Sequence, residues 1–279
     1  MTVINTNTSA AYSQNAMKTN ARFMSKAMEQ LSTGSRVNSA GDDAAGLAIG
    51  QNMTSQIRGL NMAIRNVNDG INMMQTSEGA MVEQSNMLQR MRELAIQAMN
   101  GTYSDVQRGY LDKEFQELTS QIDQIANDTM WNDQAVLKGT SSGAAVTFEF
   151  QAGQDSGQTI SVTIGAMTKT GLSLVTSGVA VSIGSGGTAA LALDVISSAL
   201  ETINEQRAAI GAGINRMEYT ADNLANIASN QTQSRSTILD TDYAIATTQL
   251  AKTQIIQQAS TAMLAQANQQ AQSVMALLK

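Results

Sequence analysis

The chain has no cysteine, no histidine and no proline in 279 residues, and aromatic side chains make up only 4% of it. Without cysteine there is no disulfide framework, thiolate metal site or cysteine nucleophile; without histidine the commonest general base is missing. A net charge of −6 argues against a nucleic-acid partner, whose phosphates require concentrated Lys and Arg. The first 30 residues lack the apolar run of a secretory signal, and no later stretch approaches the length of a membrane span. The expectation is a soluble chain without a cleavable address and without membrane insertion. What is abundant is Ala, Asn, Gln, Ser and Thr, together with 17 methionines. A core made of these residues must come from long helices.

Apolar spacing supplies those helices. Ile57, Leu60, Ile64, Val67, Ile71 and Met74 alternate steps of three and four, the heptad seam of a helix packed on other helices. Met81, Leu88, Ala95 and Met99 continue the register, with Glu78, Ser85 and Arg92 as polar exceptions. A helix from about 43 to 99 would be roughly 85 Å long. After "NGTYSD", in which Asn100 and Gly101 can close one helix and Ser104 or Asp105 cap the next, Leu111, Phe115, Leu118, Ile122 and Ile125 predict an antiparallel neighbour. A third track runs from Leu193 through Ile196, Leu200, Ile203, Ile210, Ile214, Met217, Ala221, Leu224 and Ala228 to Ile238, with Arg207, Gln231 and Arg235 as exceptions. Gly211 and Gly213 should weaken its middle.

Residues 139–190 differ in composition. Ten of the 21 glycines fall there, around "VTFEFQAG" and "QTISVTIG", which alternate at strand period. The expectation is a β-hairpin followed by a Gly/Ser-rich connection, an irregular cap outside the helical seams. The "GSGG" at 184–187 lacks the Lys-Ser/Thr of a phosphate loop and reads as linker. No cofactor, catalytic or metal-binding constellation is expected.

The two ends are expected to form a pair. Ala16, Met24, Ala27 and Leu31 recur at helical spacing, as do Tyr243, Ala246, Leu250, Ile256, Ala259, Met263, Ala267, Ala271, Val274 and Leu278. From 241 to 279 only Asp242, Lys252 and Lys279 are charged. A solvated amphipathic helix normally has a charged outer face, so Leu31, Leu250, Ile256, Ala259, Met263, Ala267, Val274 and Leu278 are candidate assembly positions. The adjacent carboxylates Asp42 and Asp43 stand where the first long helix must begin. With no further oxygen ligands nearby, they read as helix caps rather than a metal site.

The expected fold is mainly α: an elongated bundle of long heptad-patterned helices with paired terminal helices and a small β-hairpin segment. The parts run 1–42 and 239–279 for the two ends, 43–138 and 191–238 for the helical core, and 139–190 for the outer segment. Within this pattern, "LSTGSRVNSAGDDAAGLAIG" and "TSQIRGLNMAIRNVNDGINMMQTSEGAM" resemble the N-terminal core of bacterial flagellins, while "NRMEYTADNL", "DTDYA" and "QIIQQASTAMLAQANQ" resemble the C-terminal core. The resemblance covers residues 1 to about 138 and about 190 to 279. The chain departs from it in "QQAQSVMALLK", where many flagellins have a proline and end in Leu-Leu-Arg, and in a less acidic "STILDTDYA".

The resemblance implies a structural, non-enzymatic filament subunit in the extracellular flagellum, exported unfolded through the flagellar type III channel. It implies a homo-polymer, an export chaperone, and cap and junction proteins as partners. The alternative is a hook-filament junction protein with the same terminal helices. "LQRMRELAIQAMN" is similar to the flagellin stretch that Toll-like receptor 5 binds and that also packs between subunits. Gln89, Arg90, Leu94 and Gln97 match that motif, and Glu114 matches a further receptor-contacting position. By spacing, Arg90, Leu94 and Gln97 share a helix face.

Overall fold

A computed structural model of the protein describes residues 6–140, 144–176 and 179–276. Their order is α1 (Thr8–Thr33), α2 (Ala44–Met99), α3 (Asp105–Asp128), β1 (Met130–Trp131), β2 (Gln134–Ala135), β3 (Val146–Gln151), β4 (Thr159–Ile164), β5 (Val175–Thr176), β6 (Val179–Ala180), α4 (Gly186–Leu239) and α5 (Tyr243–Ala276). The chain forms two compact units, one from residues 1–57 and 229–279, the other from residues 58–228. The division falls inside α2 and α4, not at the helix ends near 42 and 238 where composition changes. Residues beyond those ends stay with the terminal unit through side chains: a Cβ on Gly50 would lie 2.6 Å from Leu239 Cδ1, and Arg235 Nη1 lies 3.4 Å from Thr54 Oγ1.

In the terminal unit, α1 and α5 pack antiparallel. Asn7 Nδ2 donates to the Ala267 carbonyl, Asn20 Nδ2 to that of Thr253, and Tyr243 OH to that of Leu31. Asn7 caps α1 by accepting from the Ala10 N–H at 3.0 Å. Gly34 ends the helix at φ +71°, a left-handed conformation that glycine adopts at least cost. The Gly34 carbonyl then accepts from Thr241 N–H, and Arg36 donates to the Leu239 and Ile238 carbonyls, tying the α1–α2 connection to the α4–α5 connection.

The second unit holds the main core. The α2 seam is buried at Leu60, Val67, Met74, Met81, Leu88 and Ala95, and the α4 seam at Ile196, Ile203, Ile210, Met217 and Leu224. Glu78 and Arg207, exceptions in two different seams, face each other in an ion pair at 3.4 Å. The α2–α3 connection closes with a capping box in which Ser104 and Gln107 satisfy each other's backbone N–H groups. Asn132 and Asp133, both at positive φ, turn the two-residue β1–β2 hairpin.

The expected peripheral hairpin is instead a wall of this core. Strands β3 and β4 pair from Val146↔Ile164 to Gln151↔Thr159, and alternate residues Ile160, Val162 and Ile164 are buried with the helices. Met167, Leu172, Leu174 and Ile183, from the connection expected to be an irregular linker, join the same cluster. The helices are shaped to receive them: a Cβ on Gly70 would lie 2.9 Å from the Phe150 ring, and one on Gly213 3.2 Å from Val162. Polar anchors reinforce the fit. Gln206 bonds Thr163 O and Gly165 N, Asp112 accepts from Ile183 N–H at 2.8 Å, and buried Gln84 donates to the Ile122 and Met167 carbonyls. Glycine at 213 thus admits a strand, an advantage that helix propensity alone does not register.

Candidate functional site

The terminal pair buries one seam and leaves another face open. On α1 the inward stripe is Ala10, Ser13, Met17, Asn20, Met24, Ala27 and Leu31; on α5 it is Ala246, Leu250, Thr253, Gln257, Ser260, Leu264 and Ala267. Each advances by alternating steps of three and four, as helix pairing demands. The candidate assembly positions therefore separate into two groups. Leu31, Leu250 and Ala267 lie half-buried on the seam within the chain, whereas Ile256, Ala259 and Met263 face outward. Val274 is in the last turns of α5, where side chains are outside the described set, and Leu278 lies outside the described residues.

The outward faces carry side chains that water solvates poorly. Met263 is 63% exposed, Ile255 66%, Ile245 68% and Tyr12 80%. Tyr12, Phe23 and Ile256 line an open groove with Asn15, Ala16, Thr19 and Asn20. Single exposed apolar residues are ordinary; here they recur along both helices, and α5 carries Lys252 as its one charged residue.

Asp42 and Asp43, grouped as caps from their position, have different roles. Asp43 Oδ1 accepts from Gly46 N–H at 2.8 Å, the N-cap geometry that satisfies an otherwise orphan donor of α2. Asp42 does not cap the helix. Its Oδ2 accepts from the Asn38 and Ser39 N–H groups and the Ser39 hydroxyl, and its Oδ1 pairs with Lys26 Nζ of α1 at 2.8 Å. Lys26, then the Ser39 N–H and hydroxyl, hold the Asp42 pKa at about 2, below its ordinary 3.8. The short "NSAG" turn bends the chain so that Asp42 points back at α1, which linear spacing does not reveal.

In the second unit, Arg90 donates through Nε to Glu114 Oε1 at 3.0 Å and through Nη1 to Glu93 Oε2 at 3.0 Å. Glu114 first, then Glu93, push the guanidinium pKa up. Gln89 is exposed, and Gln97 Nε2 donates to Tyr103 OH at 2.9 Å. Leu94 does not join them at the surface: it is 1% exposed, buried in the cluster with Met91, Ala95, Ala98 and Phe115. It lies about 40° around the helix from Arg90 at 100° per residue, enough to carry it across the boundary from solvent into the core.

Sequence reasoning missed Asn20, Thr253 and Gln84, three buried polar residues. For Asn20 the signal was present, because the track 10-13-17-20-24-27-31 contains it; reading Ala16, which is exposed, in place of Met17 displaced the stripe. Among the described residues no group of three or more potential metal ligands occurs, and no helix is long and apolar enough to cross a membrane.

Comparison with known proteins places these features in a family. Residues 4–142 match the bacterial flagellin N-terminal helical region, and residues 193–278 match the bacterial flagellin C-terminal helical region. A flagellin of Halalkalibacterium halodurans is 42% identical over 278 residues, covering 99% of this chain and 100% of that protein. The flagellar filament 30.7 kDa core protein of Treponema maltophilum is 40% identical over 283 residues, covering 99% of each. In fold alone, the chain is similar to a putative flagellar hook-associated protein from Vibrio parahaemolyticus, with TM-score 0.59 and 15% identity, over 71% of this chain and 99% of that one. Both helical regions match in order, and the relatives are matched from end to end: the chain belongs to the bacterial flagellin family.

Proposed function

We propose that this protein is the repeating structural subunit of a bacterial flagellar filament, and that the outward faces of α1 and α5 are where copies meet. The observation that carries the site assignment is the run of exposed Tyr12, Phe23, Ile255, Ile256 and Met263 on a helix pair of which α5 bears Lys252 as its one charged residue. Stacking would remove these side chains from water at about 25 cal/mol per Å² of apolar surface, and every subunit repeats the gain. The function is structural, not enzymatic, and its place is the flagellum. The hook-filament junction alternative is less well supported, since full-length relatives include flagellins and a filament core protein, while likeness to a hook-associated protein extends to fold alone.

Export through the flagellar type III channel, with chaperone, cap and junction partners, is the route this reading implies. A chain without disulfides suits passage in an unfolded state. The exposed set Gln89, Arg90, Gln97 and Glu114 is the proposed contact for Toll-like receptor 5, with Arg90 held in place by Glu114. Leu94 drops out of that set and instead supports the α2–α3 core. Electron microscopy of purified chain, mixed with filament seeds and a precipitating salt, tests the function: long tubes are expected, and persistent monomers would refute it.

A further inference from the structure

Hydrogen bonds at the two ends of the seam between α1 and α5 (Asn7 to Ala267 O, Tyr243 to Leu31 O, Thr241 N–H to Gly34 O) hold its register there, but between them few side chains distinguish one alignment from another. The seam's apolar members are Ala, Met and Leu at heptad spacing, so a slip of seven residues would again place small and flexible side chains opposite one another. Charge adds little, since Asp242 and Lys252 are the charged residues on or next to the described part of α5. Asn20 breaks the uniformity. It is 6% exposed at the middle of the seam. Its Nδ2 donates to Thr253 O at 2.8 Å and to Gln257 Oε1 at 3.3 Å.

We propose that Asn20, with Thr253 and Gln257 as its counterparts, sets the register of the terminal helix pair. A backbone carbonyl is available at every turn of α5, so the bond to Thr253 O alone would not discriminate. Gln257 does. If α5 slides by one heptad in either direction, Asn20 faces Ser260 and Leu264 or Ala246 and Leu250, and a leucine replaces its amide partner. At the same time Ala27 or Ser13 takes the place of Asn20 beside the half-buried Gln257, and the two amides lose each other. Polar groups left unpaired in a seam are costly, whereas an apolar pair at this layer would be indifferent to the shift. Asn20 is thus a positioning residue, kept in the seam to select one alignment. The idea rests on the filament reading for its purpose, because misaligned ends would present Tyr12, Phe23 and Met263 out of step with the next copy.

The absence of cysteine makes the register directly readable. In the native alignment Ser13 opposes Ser260, and after a slip of seven it opposes Ala267. Two double variants, S13C/S260C and S13C/A267C, are oxidised as free chains, each with Asn20 and with N20L. With Asn20, S13C/S260C should close and S13C/A267C should not. With N20L, closure of S13C/A267C should rise about tenfold, the preference expected from an unpaired buried amide, while helix content is retained. N20A, which cannot overpack the seam, should behave like N20L, and N20Q should recover part of the discrimination. Exclusive S13C/S260C closure in N20L and N20A, or equal closure of both pairs with Asn20 in place, would overturn the proposal. These cross-links need no polymer, so failure of seeded growth by the parent chain would count against the filament reading alone.

Discussion

Replacing Ile164 by Ala tests whether the β3–β4 hairpin is built into the core. Ile164 is fully buried at the end of β4, opposite Val146, in the cluster with α2 and α4 side chains. Truncation removes three carbons, worth about 0.8 kcal/mol each in transfer free energy, and leaves a cavity that the surrounding helices only partly fill, for a total of about 2–5 kcal/mol. For a unit of this size that corresponds to a fall in melting temperature of roughly 5–15 °C. The assay is thermal unfolding followed by helical circular dichroism, which reports α2 and α4 rather than the strands. Ser161→Ala, an exposed position on the same strand, is the control and should leave the transition unchanged. If Ile164→Ala also leaves the helical transition unchanged, the hairpin is a detachable cap and its burial has no energetic weight. Deleting residues 141–187 should then be harmless as well, whereas the packing described above requires that it unfold the second unit.

Two further outcomes follow from the charged sites. Because Lys26 and the Ser39 donors lower the Asp42 pKa from 3.8 to about 2, its contribution to stability is fully present above the ordinary value and is lost as pH falls through about 2. Denaturant unfolding of wild type should therefore weaken between about pH 4 and pH 2, and Asp42→Asn should flatten that part of the profile; an identical slope in both would refute the role. At the other site, Arg90→Ala should reduce activation of Toll-like receptor 5 by monomer with little change in thermal unfolding, whereas Leu94→Ala should cost about 2–5 kcal/mol as a core deletion. A Leu94→Ala chain with unchanged stability would show that the side chain is not in the core.

The long helices were legible because heptad spacing records burial directly: the seams through Leu60, Val67 and Met74 and through Ile196, Ile203 and Ile210 are buried as spaced. Capping at Ser104 was legible from residue type. Packing between distant segments was not. Nothing local in "QTISVTIG" says that Ile160, Val162 and Ile164 meet helices, and the recipients are glycines, Gly70 and Gly213, whose role is to have no side chain. The fate of Leu94 turned on its angle around α2 relative to α3, which a shared-face argument does not resolve. Asp42 and Asp43 are adjacent in sequence, but a turn sends one toward Lys26 and the other toward Gly46.

The most direct measurement of the assembly claim is the critical concentration for seeded growth of wild type and of Ile255→Asp/Met263→Asp. Both side chains are exposed in the free subunit, so the double variant should keep its monomer helicity and thermal unfolding. In a filament each aspartate would bury an unpaired charge, which is strongly unfavourable. The critical concentration should rise by at least about tenfold, or growth should fail altogether. Growth at the wild-type concentration by a normally folded double variant would contradict the assignment of these helix faces as the surface on which the filament is built.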